Sequence, residues 1–234
     1  MPVTPPTRLV ERGLATLHGG LVAGVDEVGR GALAGPVCVG VAVIGYDADP
    51  LPTGLTDSKK LTPARRTAMA PHVMDWCVDL EVGSAEPSEI DRIGINPALR
   101  LAATRAFDAL AARGVVPAVA LLDGCHDWLG AEPDLLATLD PLTPPALPLP
   151  VVTRVKADLE CAVVAAASVV AKVYRDGLMD VLGDAARGDG RFDWSSNKGY
   201  ASPRHIDALR SFGPTEHHRR SWKLPGVGGD GSTD

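Results

Sequence analysis

The chain has 234 residues, of which 45% are hydrophobic and 22% charged, with 29 acids against 23 bases and a formal net charge of −6 at pH 7. These values exclude a disordered chain, a collagen and a coiled coil, and the acidic balance argues against a protein that coats nucleic acid by bulk charge. The length predicts one domain that buries about 70% of its extended surface in a single core.

Residues 1–20 mix proline, threonine, glycine and charges without a sustained period, and they predict a flexible N-terminal segment. This segment lacks the apolar core of a signal peptide, and no run in the chain approaches the roughly 18 apolar residues of a membrane span. We therefore expect a cytoplasmic protein with no membrane partner.

Five short runs rich in β-branched or apolar residues predict strands. The first two are separated by a glycine-rich turn, and the fourth is a continuous apolar run that ends in an acid, which is typical of a central strand buried on both faces. In chain order, the predicted strands cover residues 21–26, 36–44, 78–84, 118–123 and 151–155.

A capping residue followed by proline predicts three helix starts, at Thr62-Pro63, Asn96-Pro97 and Ser202-Pro203. A fourth helix is predicted over residues 160–182, where small residues on every face indicate deep burial and close approach of the backbone. Residues 133–150 carry six prolines and predict a surface loop. Strands that alternate with helices predict an α/β domain.

Acids end three of the predicted core elements. Asp26 and Glu27 follow the first strand and precede the turn Gly29-Arg30-Gly31, Asp123 ends the fourth strand, and Asp158 stands before the buried helix. Taken singly, each has a plain alternative as a solvated strand end or a helix cap. Together they form the oxygen-only set that Mg²⁺ or Mn²⁺ prefers, and two such ions about 4 Å apart can clamp the attacking and leaving oxygens of a phosphodiester.

Seven blocks of sequence resemble, in order, the pattern of bacterial ribonuclease HII, the type 2 ribonuclease H. The match spans about residues 21–224. The blocks are GVDEVGRG at 24–31, DSKKL at 57–61, LLDG at 121–124, VKAD at 155–158, AAASVVAKVYRD at 165–176, NKGY at 197–200 and EHHRRSW at 216–222.

The resemblance implies an RNase H-like α/β fold with a central mixed sheet flanked by helices and a small C-terminal helical extension. It implies an endonuclease that cuts RNA in RNA–DNA hybrids and at single ribonucleotides embedded in duplex DNA, leaving 3′-OH and 5′-phosphate ends. We expect a monomer with a catalytic domain over residues 21–195, a basic helical segment over 196–225 and a disordered tail over 226–234.

The same resemblance implies that the active-site carboxylates are Asp26, Glu27, Asp123 and Asp158. The first three would be the principal ligands of Mn²⁺ or Mg²⁺, and Asp158 would complete a two-metal site. The residues themselves add one condition. Successive side chains of a regular strand point to opposite faces, so Asp26 and Glu27 share a site only if the strand ends or bends between them.

The turn Gly29-Arg30-Gly31 is suited to sensing ribose. A turn without side-chain bulk can place backbone N–H and C=O groups against a 2′-hydroxyl, which both donates and accepts hydrogen bonds. The resemblance implies this use, and it also implies that Tyr200 packs on the sugar at the RNA-to-DNA step. Tyr200 is one of only three tyrosines, and by residue type alone a core aromatic is the favoured interpretation.

Residues 197–224 hold six bases against two acids and predict a basic face for nucleic acid. Phosphate contacts position a protein on a duplex without reading its bases. The residues predicted to make such contacts are Ser58, Lys59, Lys198, Arg204 and Arg219. The pair His217-His218 and the widely spaced cysteines lack the ligand spacing of a zinc site.

Two other functions fit parts of this pattern. A different two-metal nuclease on the same fold, such as a junction resolvase or a transposase-type core, shares the acids, but an enzyme that acts on DNA alone has no use for a 2′-hydroxyl sensor. The other is a metal-stabilised protein that binds hybrids without cutting them. The clustered acids argue against it, because they would repel the polyanionic ligand.

Overall fold

The computed structural model describes residues 5–227, apart from 49, 134, 136, 185 and 187, so the tail predicted over 226–234 lies outside it from residue 228 onward. Five strands form one sheet, in the order β3-β2-β1-β4-β5. They are β1 Val22–Val28, β2 Val37–Ile44, β3 Asp79–Ala85, β4 Val119–Asp123 and β5 Val151–Arg154. The neighbours β1, β2 and β3 pair antiparallel, whereas β1, β4 and β5 pair parallel. All five predicted strands are confirmed, with shifted ends.

The described residues contain eight α-helices around this sheet. They are α1 Leu9–His18, α2 Pro63–Trp76, α3 Pro87–Ile93, α4 Ile95–Ala112, α5 Ala157–Glu160, α6 Ala162–Gly183, α7 Trp194–Asn197 and α8 Pro203–Phe212. Two predicted starts are confirmed, because the Thr62 and Ser202 side chains accept hydrogen bonds from backbone N–H groups in the first turns of α2 and α8.

The third predicted start is wrong, and the predicted buried helix is confirmed from Ala162 onward, two residues after its expected start. Helix α4 begins at Ile95 rather than after Asn96, so Pro97 lies in the first turn, where no intrahelical N–H bond is required. Cys161 is extended and separates α5 from α6, so residues 160–182 are not one continuous helix.

Residues 9–18, predicted to be flexible, instead form α1 and dock on the domain. The Arg8 guanidinium donates to the carbonyl oxygens of Gly45 and Tyr46 at 2.6 and 2.7 Å, and the Glu11 carboxylate accepts from the Val163 N–H at 3.0 Å. Composition failed here because two of the charged side chains in this segment, Arg8 and Glu11, are buried anchors of the helix.

Both faces of the sheet are covered. Helices α6, α2 and α1 pack on one face and α4 on the other, which gives two buried apolar layers. A Cβ at Gly24 or Gly40 would lie 2.5 Å from main-chain atoms of α6, so this alanine-rich helix rests directly on the backbone of the sheet, as its small residues predicted.

The C-terminal part, including α7 and α8, packs around Phe192 and Trp194 on the chain that follows β1. His218 pairs with Ala34 in an isolated antiparallel bridge. The α/β architecture with a mixed sheet and a C-terminal helical extension is thereby confirmed. No helix in the described part of the chain is long and apolar enough to cross a membrane.

Candidate active site

The parallel strands β1 and β4 carry Asp26 and Asp123 to the same edge of the sheet. Their pairing runs to Val25 and Leu122, and each acid is the next residue along its strand. The Asp123 carboxylate accepts from the Ala157 N–H at 2.7 Å, which ties the start of α5 to this edge. Asp158 follows in the first turn of α5. Strand topology therefore gathers the acids that end separate elements.

Strand β1 does not end between Asp26 and Glu27, although a shared site was expected only if the strand ended or bent there. Its pairing with β2 continues through Val28. Both acids nevertheless line one cavity of about 350 Å³, because this cavity lies around the end of the strand. The Glu27 carboxylate forms an ion pair with the Arg30 guanidinium at 3.1 Å.

This cavity collects most of the residues that the sequence singled out. Those that line it are Asp26, Glu27, Gly29, Arg30, Gly31, Ser58, Lys59 and Tyr200. Asp123 and Asp158 stand next to it rather than in its wall. A second cavity, of about 500 Å³, lies between residues 50–53 and α2, and the acid in its lining is the exposed Asp75. We assign the site to the first cavity because the paired, buried acids are there.

The Lys59 ammonium lies among the acids. Its Nζ atom is 3.2 Å from Oδ2 of Asp158. Partial burial works against the charged amine, but the negative charges of Asp26, Asp158 and Asp57 outweigh it and hold the pKa of Lys59 above its ordinary value. The lysine therefore supplies the acids with a neighbouring positive charge.

Asp26 is the most strongly perturbed acid of the site. Burial raises the pKa of Asp26 to about 8, against a hydrogen bond from Ser168 and the charge of Lys59, and the charges of Asp123 and Glu27 add to the rise. Burial also raises the pKa of Asp123, with a further contribution from Asp158. Such carboxyls favour any additional cation, because a nearby positive charge stabilises their ionised form.

The acids have the chemistry of ligands for a hard divalent ion, but they do not form a preorganised coordination site. No three His, Cys, Asp or Glu side chains among the described residues stand ready-made around one point. The donors offered are carboxylate oxygens alone, which Mg²⁺ and Mn²⁺ prefer. Burial is the main cause of the raised pKa values of Asp26 and Asp123, and a bound cation would favour the ionised form of both carboxyls.

The two glycines of the turn after β1 serve different needs. Gly29 is buried and has φ +82°, and a Cβ there would lie 2.0 Å from Nε of Arg175. Gly31 is exposed, lies outside the left-handed region, and a Cβ there would meet no atom within 4 Å. The fold itself requires glycine at position 29, whereas at position 31 glycine leaves open space in the cavity.

Tyr200 is not a core aromatic. Its exposure is 39%, and it lines the cavity with the turn. Its ring lies 5.7 Å from Cζ of the buried Arg175. The residue before it, Gly199, accepts from the Leu33 N–H at 2.8 Å, so Tyr200 is held next to the chain that follows β1.

The predicted phosphate contacts differ in their placement. The Arg204 side chain is exposed, with an ion pair to Asp193 at 3.4 Å, and Lys59 lies in the site. Arg219 is fully buried, so its expected surface position is wrong. Lys198 is half-buried with its ammonium paired to Asp180, and its contact with phosphate stays a prediction. The cause for Arg219 is local pairing, because its N–H donates to the Leu33 carbonyl and its side chain thereby points inward.

Ser58 also differs from the surface position expected of a phosphate contact. It is buried, and its Oγ atom lies 2.8 Å from Oγ of Ser168. Ser168 in turn lowers the pKa of Asp26. Ser58 therefore reaches the acids through a second hydroxyl.

Sequence reasoning missed three polar residues of the site. Ser168 and Lys172 lie one turn apart on α6 and line the cavity, and Asn96 accepts from the Arg30 guanidinium at 2.9 Å. Two polar residues spaced by four in a helix of small apolar residues were the available signal for the first two. Nothing in the sequence pointed to Asn96, which reaches the turn from α4.

Comparisons with known proteins agree on one family. The family model described as Ribonuclease HII matches residues 23–225. A ribonuclease HII of Streptomyces griseus subsp. griseus is 48% identical over 223 residues, which cover 95% of this chain and 86% of that protein. The RNase HII of Archaeoglobus fulgidus, solved in complex with PCNA, is 30% identical at a TM-score of 0.63, with 87% of this chain and 96% of that chain covered. Bst-RNase HIII, solved in complex with Mn²⁺, shares the fold at 18% identity and a TM-score of 0.64, with 88% and 68% covered.

Proposed function

The chain belongs to the ribonuclease HII family, whose members are endoribonucleases that act on RNA–DNA hybrids, and from this premise we propose that the cavity at the end of β1 is the active site. We further propose that the enzyme cuts at single ribonucleotides in duplex DNA. The hydrolysis adds water to the phosphorus and releases the 3′ oxygen, which gives 3′-OH and 5′-phosphate ends.

The observation that carries this proposal is the open space at Gly31. The fold does not need a glycine there, so the absent side chain is explained by a ligand that approaches the backbone closely. The acids Asp26 and Glu27 line the same cavity, so a sugar held against the turn has its phosphate next to the carboxylates. The 2′-hydroxyl is the one group by which ribose differs from deoxyribose, and backbone groups can bond it as donor and acceptor.

The acids have a defined role in this proposal. Asp26, Glu27, Asp123 and Asp158 would hold two Mn²⁺ or Mg²⁺ ions. Bound ions of this kind activate water and neutralise charge on the phosphate oxygens. The chain's own part is to fix the acids: the Glu27 N–H donates to Asp26 at 3.0 Å, and the Ala157 N–H donates to Asp123 at 2.7 Å. Lys59 adds a positive charge beside Asp158 that favours an incoming phosphate.

Tyr200 and the surface bases position the duplex. Tyr200 lines the cavity with the turn and is exposed enough for its ring to pack on the sugar that follows the ribonucleotide. Arg204 is exposed in the C-terminal part and supplies a phosphate contact. The chemistry of this surface thus suits a duplex substrate, with the ribonucleotide at the turn.

The test is Gly31→Ala, assayed on a duplex with one embedded ribonucleotide and on its all-DNA counterpart. A methyl group at this position has room in the free protein, so the melting temperature should stay within about 2 °C. It occupies the place of the sugar, and a displacement of about 1 Å lowers a rate about a hundredfold. We expect a loss of that order in kcat/KM on the ribonucleotide duplex.

Gly13→Ala is the matched control, because a Cβ at this position of α1 also meets no atom within 4 Å and is remote from the cavity. It should cut like the parent protein. A folded Gly31→Ala protein with parental kcat/KM would refute the role of the turn. Equal cutting of the all-DNA duplex by the parent protein would favour a DNA nuclease of the same fold instead.

A further inference from the structure

The turn that faces the substrate is held from behind by one buried cation. The Arg219 guanidinium donates to the Gly29 carbonyl at 2.6 Å, to the Arg30 carbonyl at 2.7 Å and to the Gly35 carbonyl at 3.2 Å. Arg219 has no exposed surface, and burial lowers its pKa to about 9, so it remains charged at neutral pH. One charged fork therefore binds two successive carbonyls of the turn.

These two hydrogen bonds fix the direction of two peptide N–H groups. In a trans peptide, the C=O and the N–H of the following residue point in opposite directions. The Gly29 carbonyl belongs to the same peptide plane as the Arg30 N–H, and the Arg30 carbonyl to that of the Gly31 N–H. Because both carbonyls point inward to Arg219, both N–H groups point outward.

The outward N–H groups are available to a ligand. Among the described residues, neither the Arg30 N–H nor the Gly31 N–H donates a hydrogen bond, although both residues line the cavity. A charged donor on the carbonyl of an amide also polarises its N–H, since hydrogen bonds in a chain strengthen one another. The turn thus presents two polarised donors to whatever occupies the cavity.

We propose that Arg219 is a positioning residue for ribonucleotide recognition, whose guanidinium sets the two peptide planes so that the Arg30 and Gly31 N–H groups face the sugar and its phosphate. This inference rests on the proposed function of the turn. It replaces the phosphate contact that the sequence suggested for Arg219 with an indirect role through the backbone.

A lysine cannot perform this role. The guanidinium is a planar fork with five donors, whereas the lysine ammonium is a point charge on a flexible stem. A single ammonium can neutralise the site but cannot hold two carbonyls in fixed planes. Arg219→Lys therefore keeps the positive charge and removes the paired hydrogen bonds to the two carbonyls.

The experiment compares Arg219→Lys with Arg100→Lys. Arg100 is also buried and donates to three backbone carbonyls, of Trp128, Ala131 and Pro144, but it does not touch the turn. For each variant, the melting temperature, kcat and KM on the single-ribonucleotide duplex, and Kd for the all-DNA duplex of the same sequence are measured. The last quantity reports duplex binding without a 2′-hydroxyl.

We expect Arg219→Lys to lose about ten- to a hundredfold in kcat/KM on the ribonucleotide duplex, while Kd for the all-DNA duplex stays within about twofold. Arg100→Lys should lower the melting temperature by a similar amount and leave kcat/KM unchanged. Equal losses of kcat/KM in both variants would show that Arg219 acts through stability alone and would overturn the proposal, as would parental kcat/KM in folded Arg219→Lys.

If Arg219→Lys does not fold, hydrogen exchange of the parent protein decides the question. The Arg30 and Gly31 amides should exchange at nearly unprotected rates in the free protein and become protected by the ribonucleotide duplex, in EDTA to prevent cleavage. Protection of both amides in the free protein would overturn the proposal. A parent protein that fails to cut the ribonucleotide duplex contradicts the proposed function instead, so the two failures are distinct.

Discussion

The acid edge, formed by Asp26, Asp123 and Asp158, and the C-terminal segment, residues 197–224, are both dense in charge, yet the chain places their charges by different rules. At the acid edge, the pairing of parallel strands and the Asp123–Ala157 hydrogen bond bring the acids together. In the C-terminal segment, Arg204 is exposed while Arg219 is buried. Sheet topology thus determines where charged residues at strand ends lie. In an irregular segment, a charged side chain is buried or exposed according to whether it leaves the backbone on the side that faces the core.

The largest effect should come from the acid edge. Asp26→Asn removes a proposed metal ligand, and loss of even an outer partner of a metal site costs ten- to a hundredfold, so we expect cleavage to fall by more than about a hundredfold. The fold should persist, because the amide does not need the extra cation that a buried carboxylate favours. Cleavage of the hybrid and thermal unfolding are measured on the same preparation.

The exposed Asp75→Asn is the matched control for charge, since it removes an acid outside the site. It should leave both quantities unchanged. A soluble, folded Asp26→Asn protein that turns over at nearly the parental rate would show that the acid edge is not the reaction centre.

A smaller effect, on stability, is expected when low pH protonates two histidines of the C-terminal segment. His205 and His218 are buried with their Nε2 atoms 3.1 Å apart. Burial lowers the pKa of both, that of His218 to about 4, whereas an unfolded histidine titrates near pH 6.5. The unfolded state therefore binds more protons between these two values, so stability is full above about pH 6.5 and falls toward pH 4.

Melting curves at pH 7, 6 and 5 test this expectation. Between pH 7 and pH 5 the melting temperature of the parent protein should fall by several degrees, with about 2 kcal/mol of the free energy of unfolding lost through His218. His218→Asn should melt lower at pH 7 but change less with pH, and the exposed His72→Asn should follow the parent curve. An identical pH dependence in His218→Asn and the parent would place the acid sensitivity elsewhere.

The smallest effect should come from the exposed bases. Arg204→Ala should weaken binding of the all-DNA duplex a few-fold and reduce the slope of log K against log salt by about 0.9, the value for one phosphate contact. Sequence preference should not change, because phosphates are not specific to a base. Titrations at several salt concentrations measure this slope, and an unchanged slope would mean that this surface points away from the duplex.

The sequence located the strands, and with them Asp26 and Asp123, because each of these acids ends an apolar run whose pairing is strongly constrained. It did not locate Ser168 or Lys172, because their spacing by four residues on α6 is a weak signal when the rest of the first half of the helix is apolar. Arg219 was misplaced because a count of bases contains no information on side-chain direction. Gly29 and Gly31 look alike in sequence, and only the Arg175 side chain at 2.0 Å from a Cβ at Gly29 separates their roles.

The anchoring of α1 has a consequence for synthesis of the protein on the ribosome. Glu11 accepts its hydrogen bond from Val163, 152 residues later in the chain. At about 5–20 residues per second, that partner is made roughly 8–30 s after Glu11, so α1 is translated well before it can dock. During this interval a chaperone or a protease meets α1 without its anchor, and the segment around Cys161, which bridges to Thr7, is completed only when the N-terminus returns.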